Sequence, residues 1–373
     1  MLMKPTYVNS EKEFEKQIQS LESNKSVQSI LILMAEDNNC KREVIELIIK
    51  TCTKTIIGGI FPEVIFESQL QKTGIVLIPL TFKLQSLLFD FNQPLEEFIS
   101  EMTDFVSKIS TQEKTLYLFV DAFGIKKDVY IDCIFNFFGT SIKYIGGCCG
   151  SITFESCPCV ITNDGIFENA GVFALSQESI TVGVAHGWKP ISEPFKVTNV
   201  ENNKISSLNW EPAFEVYKKI VEQHSGKKIE QNQFYETAKS YPLGIVKIDG
   251  NYAIRQILTA NKDELICSDR VELFEYVSIM YADKNDLLLA ADEALNMITD
   301  NAENKNNDED IIFCVDCIAR RLFLDNEFSK ELDIFNKLAP VYGDISLGEI
   351  ANHGDEILEV YNNTIALALW KKK

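Results

Sequence analysis

Ile311-Ile312-Phe313-Cys314-Val315 is an apolar run rich in β-branched residues that stops at Asp316, and it opens the stretch, residues 310–370, around which the chain is organised. Five apolar residues suit a buried strand better than a helix, with Asp316 at its carboxyl end. The next segment carries Leu322, Phe323, Phe328, Leu332, Phe335 and Leu338 before Pro340 and Gly343. That spacing predicts a helix with one buried stripe, its regular part capped by Asp325 or Asn326. Strands follow at 341–345, 348–352 and 364–370, with the polar residues crowded at their ends.

The same unit of strand, helix, strand and strand is legible twice more. Residues 29–35 (SILILMA) lead to a helical REVIELIIKTC, to Gly58-Gly59 within TIIGGI, and to 74–80 (GIVLIPL). Residues 115–120 (TLYLFV) and Asp121 lead to DVYIDCIFNFF, to Gly146-Gly147 within KYIGGC, and to 170–175 (AGVFAL). In the last copy the pair is Gly343-Asp344. Such self-similarity points to triplication. The fold class expected is α/β, with mixed sheets covered by helices and built on this repeated unit.

Outside the copies, Phe14, Ile18 and Leu21 predict an amphipathic helix after a leading strand, and residues 95–109 predict another begun at Pro94. Alternation between 241 and 281 predicts antiparallel strands, with a hairpin turn at Asp249-Gly250-Asn251. A helix is expected over 285–300. The polar segment 199–209, with Asn202-Asn203, suggests a division into regions 1–200 and 201–373.

With 373 residues, 46% of them hydrophobic and 24% charged, the chain has the composition of a globular α/β protein. Its net charge of -19 opposes binding to nucleic acid or to anionic lipid. No apolar run has the length of a membrane span, and the first residues lack the apolar core of a signal peptide, so a cytoplasmic location is expected. The ten cysteines then read as free thiols.

At this point the residues resemble the FIST (F-box and intracellular signal transduction) family over nearly the whole chain. The N-terminal region is echoed by Gly146-Gly147, by Ala185-His186-Gly187-Trp188-Lys189-Pro190 and by Glu211-Pro212-Ala213 with Tyr217. The C-terminal region is echoed by Asp316-Cys317-Ile318-Ala319-Arg320-Arg321, Leu347-Gly348-Glu349-Ile350-Ala351-Asn352 and Tyr361-Asn362-Asn363-Thr364. The resemblance implies a sensory module for a small ligand such as an amino acid. Family members are often fused to a kinase, cyclase or chemoreceptor output; here the FIST-like regions leave no room for one, so a separate partner is expected. Haem is a rival ligand that the resemblance also raises. The family's Gly-Gly-x-x-Gly pattern is met by Cys148 and Cys149 before Gly150.

The ligand-binding candidates are accordingly Gly146, Gly147, Cys148, His186, Trp188, Asp316, Cys317, Arg320, Gly348, Glu349 and Asn363. Arg320 suits a ligand carboxylate and Asp316 or Glu349 an ammonium group, because both charges need partners on burial. The same residues would equally serve an internal ion-pair network. The glycine pair could admit a ligand to the backbone or permit close packing. His186-Gly187-Trp188, directly after a strand, could wall a pocket or form a packed turn. Cys314 and Cys317 have the spacing of a redox pair but the alternation of a strand. Cys157-Pro158-Cys159 offers too few thiols for zinc, so no metal is expected. An enzymatic reading would rest on Cys148 or Cys149 with His186 as base, and the chain is expected not to be an enzyme. An axial haem ligand would come from His186, His224, His353 or a cysteine.

Overall fold

Three runs without polar alternation, Ser29–Ala35, Thr115–Asp121 and Ile311–Cys317, become the central strands of three six-stranded sheets, and every residue in them is buried. Burial on both faces is what such runs require. The computed structural model describes residues 3–109, 112, 114–230, 234–247, 250–300, 310–352 and 357–371.

Each central strand is followed by a helical segment and a parallel neighbour. The parallel strands are Thr55–Phe61, Lys143–Cys149 and Val341–Ser346. On the other side each central strand pairs antiparallel with Ile75–Leu80, Ala170–Ser176 or Ile365–Trp370. The glycines Gly58, Gly146 and Gly343 occupy one equivalent position, opposite Ile32, Leu118 and Cys314. A Cβ at Gly146 would lie 1.7 Å from the Leu118 carbonyl oxygen, so close strand packing excludes any side chain there.

The repeat is longer than the sequence pattern suggests. A lead strand (Thr6–Val8, Gln85–Asp90 or Thr181–Ala185) forms the edge beside the last strand of its own sheet. A helix (Glu11–Ser23, Leu95–Lys108 or Lys284–Asp300) then precedes each central strand. In the first copy that helix buries Phe14, Ile18 and Leu21, and Ser10 caps it by accepting from Glu13 N at 3.3 Å.

Between its second and last strands each unit also sends out a hairpin that completes a different unit's sheet. Glu63–Phe66 with Gln69–Gln71 joins residues 343–345 of the third unit. Val160–Thr162 with Gly165–Phe167 joins residues 57–59 of the first. Glu349–Ala351 with Glu359–Tyr361 joins residues 145–147 of the second. The exchange therefore closes into a ring: first onto third, third onto second, second onto first. The inward faces share one core, where Trp370 stacks on Phe313 at 4.9 Å and meets Tyr117 edge-on at 5.9 Å.

The third unit is interrupted. Between its lead strand and its first helix the chain builds a nine-stranded antiparallel sheet, packed on Ala213–Ser225 and with its own core. By topology the chain thus divides near 188 and 282, and residue 200 falls inside the hairpin Phe195–Glu201 with Lys204–Leu208. Two local expectations also change. The strand runs two residues past Val315, so Asp316 lies within it and turns toward the helices. The single helix expected after it is two, Ile318–Leu324 and Phe328–Asn336, split at Asp325, whose φ is +51°. Of the turn at residues 249–251, Asp249 lies outside the described residues; Gly250 takes φ +89° as a turn demands. Among the described residues no helix is long and apolar enough to cross a membrane.

Candidate functional site

Arg320, on the first turn after the central strand, is wholly buried. Its Nη2 is ion-paired to Glu331 and donates to the Leu287 carbonyl at 3.1 Å, and its Nη1 donates to the His186 carbonyl at 2.9 Å. Asp316 Oδ1 lies 3.6 Å from its Nε. Burial, aided by the Glu331 charge, raises the Asp316 carboxyl well above the usual range, and it is Glu331 that hydrogen-bonds the guanidinium. Both terminal nitrogens of Arg320 are thus spent inside the protein, and its Nε is buried with no acceptor in hydrogen-bond range among the described residues. The Asp316 and Arg320 side chains form an internal cluster that joins the central strand to its helices, and neither faces a cavity.

Glu349 is buried as well, accepting from Ser346 Oγ at 3.0 Å and from Thr364 N at 3.2 Å. Burial raises its carboxyl too. Cys317 accepts from Asn363 N at 3.1 Å, and Asn363, with φ +53°, donates to Gln256 Oε1 at 2.9 Å. Gly147 and Gly348 sit in tight packing: added Cβ atoms would come within 3.2 Å of Asp344 Oδ1 and 3.1 Å of Cys148 Sγ. The Cys148 thiol is inaccessible, and burial pushes its pKa upward, the opposite of what a nucleophile needs. Cys314 and Cys317 are both free, and three positions apart on one strand they point to opposite faces.

The cavity lies elsewhere, where the ring meets the inserted sheet. It measures about 760 Å³. Val184, Ala185, His186 and Trp188 form one wall, Val246, Lys247 and Tyr252 of the inserted sheet another, and Glu293 and Met297 of the helix Lys284–Asp300 a third. The exchanged hairpin contributes Ile357, Glu359 and Tyr361, and Thr364 follows. Lys247 and Glu359 are ion-paired across this junction, with side chains 31% and 20% exposed. Trp188 is fixed by its Nε1, which donates to the Asn363 carbonyl at 3.2 Å, and by contact with Phe323. Of the candidates from sequence, His186 and Trp188 line the cavity; Asn363 stands behind its wall, and the others are packed away from it.

His186 Nδ1 accepts the Trp188 backbone N–H at 2.9 Å. Desolvation, reinforced by the nearby Arg320 charge, lowers its pKa to about 4. The ring is therefore neutral at pH 7, its proton is on Nε2, and Nε2–H is the donor it can offer a ligand.

Sequence comparison places the FIST N domain over residues 30–211 and the FIST C domain over residues 213–352. The chain belongs to the FIST family. No curated protein matches it. FIST domains are associated with signal transduction and small-ligand sensing. Their boundary at residue 212 lies near the division expected from the polar segment, and it cuts the inserted sheet rather than the ring.

For haem, the residues of this FIST chain do not fit an axial role at His186. A ligating imidazole donates its second N–H to an acceptor. Here that second nitrogen faces a backbone donor, and the proton occupies the atom an iron would take. His224 Nδ1 lies 3.1 Å from the Tyr241 hydroxyl and its ring packs on Tyr281, while His353 lies outside the described residues. Among the described residues no group of three or more His, Cys, Asp or Glu side chains could hold a metal ion.

Lys247, Tyr252, Glu359, Tyr361 and Thr364 were not among the site candidates. Lys247 and Glu359 are 112 residues apart, and nothing local marks either of them. Tyr361 and Thr364 flank the Asn362-Asn363 motif, which was the one available signal.

Proposed function

We propose that the cavity between ring and inserted sheet is the sensing pocket for a small zwitterion such as an amino acid, read out by a separate signalling partner. The observation that carries this reading is the Lys247–Glu359 pair, one charge from each body, half-buried in the cavity wall. A zwitterion can replace that pair charge for charge: its carboxylate meets Lys247 and the Nε2–H of His186, and its ammonium group meets Glu359. Trp188, Tyr252, Met297 and Ile357 offer apolar surface to a side chain. Because the two charges belong to different bodies, inserting a ligand between them changes the contact that holds the bodies together, which couples occupancy to shape.

Calorimetric titration with the twenty amino acids tests this. A binding amino acid should lose affinity about tenfold or more in Lys247→Ala, from the loss of a charge-assisted hydrogen bond of about 1.5–3 kcal/mol. Glu359→Gln should weaken amino acids more than the corresponding plain carboxylic acids. If no amino acid binds, or if binding ignores both substitutions, the reading fails.

A further inference from the structure

The inserted sheet carries a second feature, remote from the cavity. Trp210, Phe274, Tyr276 and Leu273 are exposed by 77%, 58%, 51% and 48%. Three of them are tied to one short stretch of strand, residues 196–198. Asn209 N donates to the Lys196 carbonyl and Lys196 N to Asn209 Oδ1, both at 2.8 Å; Trp210 N donates to Thr198 Oγ1 at 2.9 Å. Phe274 N donates to the Val197 carbonyl at 2.9 Å, and Tyr276 is the cross-strand partner of Lys196. Lys196 Nζ sits 4.6 Å from the centre of the Phe274 ring.

Two of these aromatics are held in backbone that bulky residues avoid. Asn209 and Trp210, with φ of +49° and +66°, form the tight turn before Glu211–Pro212, where the second position favours glycine. Phe274 has φ +73°. Glycine would be easier at either position, and neither ring is buried in return; the Lys196 contact of Phe274 is the one gain that folding takes from them among the described residues. Strain of this kind is concentrated at functional sites.

We propose that this surface docks a short extended segment of a partner protein, in which an acidic residue lies between apolar or aromatic ones. Lys196 has no ion-pair partner among the described residues, so the patch holds an unpaired cation against the Phe274 ring, with Tyr276 opposite it on the neighbouring strand, within a chain of net charge -19. A carboxylate flanked by apolar side chains complements that arrangement. Size argues the same way. Four side chains of this kind expose roughly 400–500 Å², whereas a stable dimer buries about 800 Å² on each partner. The patch thus suits a peptide-sized, transient contact. It does not depend on what fills the cavity.

A displayed library of random twelve-residue peptides, selected on the full chain and counter-selected on the Trp210→Gly, Phe274→Gly double variant, is the test. Enriched peptides should share an acidic residue between apolar ones. They should blue-shift Trp210 emission, since Trp188 and Trp370 are buried. Trp210→Gly should melt no lower than wild type, because glycine relieves the turn, yet bind at least tenfold more weakly. Lys196→Glu should select basic peptides instead. Three results would overturn the proposal: no enrichment over the double variant, patch-dependent self-association in sedimentation, or patch-dependent binding to phosphatidylcholine–phosphatidylserine vesicles without peptide binding.

Discussion

Replacing Arg320 with methionine keeps most of the buried stem and removes the guanidinium, so it isolates the cluster that the sequence left open between a ligand site and an internal network. The variant loses the ion pair with Glu331 and strips the His186 and Leu287 carbonyls of their donors. Glu331 then stays buried with no cation. Breaking a buried pair on one side costs about 3–5 kcal/mol. At roughly 2 °C per kcal/mol for a large domain, the melting temperature should fall by about 6–10 °C. Arg320→Met combined with Glu331→Leu should recover most of that loss, because an apolar pair of similar volume removes the stranded charge. The assay is thermal and urea unfolding by circular dichroism, beside calorimetry of the folded fraction with whatever ligand the cavity binds. Affinity should be unchanged in both variants. If Arg320→Met melts like the wild type, or if it keeps stability and loses ligand, the internal-network assignment is wrong. If the double variant is no better than the single one, the stranded-charge argument is wrong.

Three further outcomes follow from the same geometry. His186 binds its proton in the unfolded chain near pH 6.5 but in the fold only near pH 4, so stability should be full above pH 6.5 and fall as pH drops through that window; melting curves of wild type and His186→Gln against pH should diverge there and nowhere higher. Gly146→Ala should destabilise far more than Gly147→Ala, because the first Cβ meets backbone at 1.7 Å and the second meets side chains beyond 3 Å; equal stability of the two, by urea unfolding, would refute this. Asp344 is buried with no partner for either oxygen among the described residues, and desolvation raises its carboxyl well above 3.8, so its contribution is lost as pH rises past the unfolded value. Asp344→Asn, which has no proton to lose in either state, should be the more stable protein at pH 7 and show a flatter dependence between pH 4 and 7.

Long apolar runs made the three central strands and their parallel partners legible, because a strand buried on both faces admits no other residues. Of the lead strands and exchanged hairpins, the first strand, the one before His186 and the one at 348–352 were legible as strands, but the sheet each would join was not, for the converse reason. Most are three or four residues long, and partners as distant as Glu63 and Ile345 hold them in place. The strand runs one residue past Asp316, to Cys317, because burial favours the neutral Asp316 carboxyl while Arg320, one helical turn on, takes Glu331 as its ion-pair partner. Asn202-Asn203 read as a boundary because turns and linkers draw on the same residues. Asn202, with φ +56°, is the turn of a hairpin inside the inserted sheet. The position of His186 and Trp188 on the cavity wall was legible because they directly follow a strand, where an abrupt run of large polar and aromatic groups is visible locally. The charged pair on the cavity wall exists only after two bodies meet.

The position of the cavity follows from where the repeat is broken. In the first unit the lead strand passes to its helix through residues 9–10, and in the second through residues 91–94; in the third the same link is residues 186–283. A short link keeps strand and helix in one fixed body. The long link begins at His186, and the chain returns through Asp286, which pairs with Lys189 across the gap. The cavity opens at this corner, bounded by the lead strand Thr181–Ala185 on one side and the helix Lys284–Asp300 on the other. Two sides of it thus belong to the ring and the third to a sheet that the other units lack. The same unit holds Asp344 where the first two have Gly59 and Gly147, so the central core is also unequal at that point. Three identical copies would close a ring with no preferred corner. An insertion in one of them gives this corner a wall that the other two lack, which is why the proposed sensing pocket falls here.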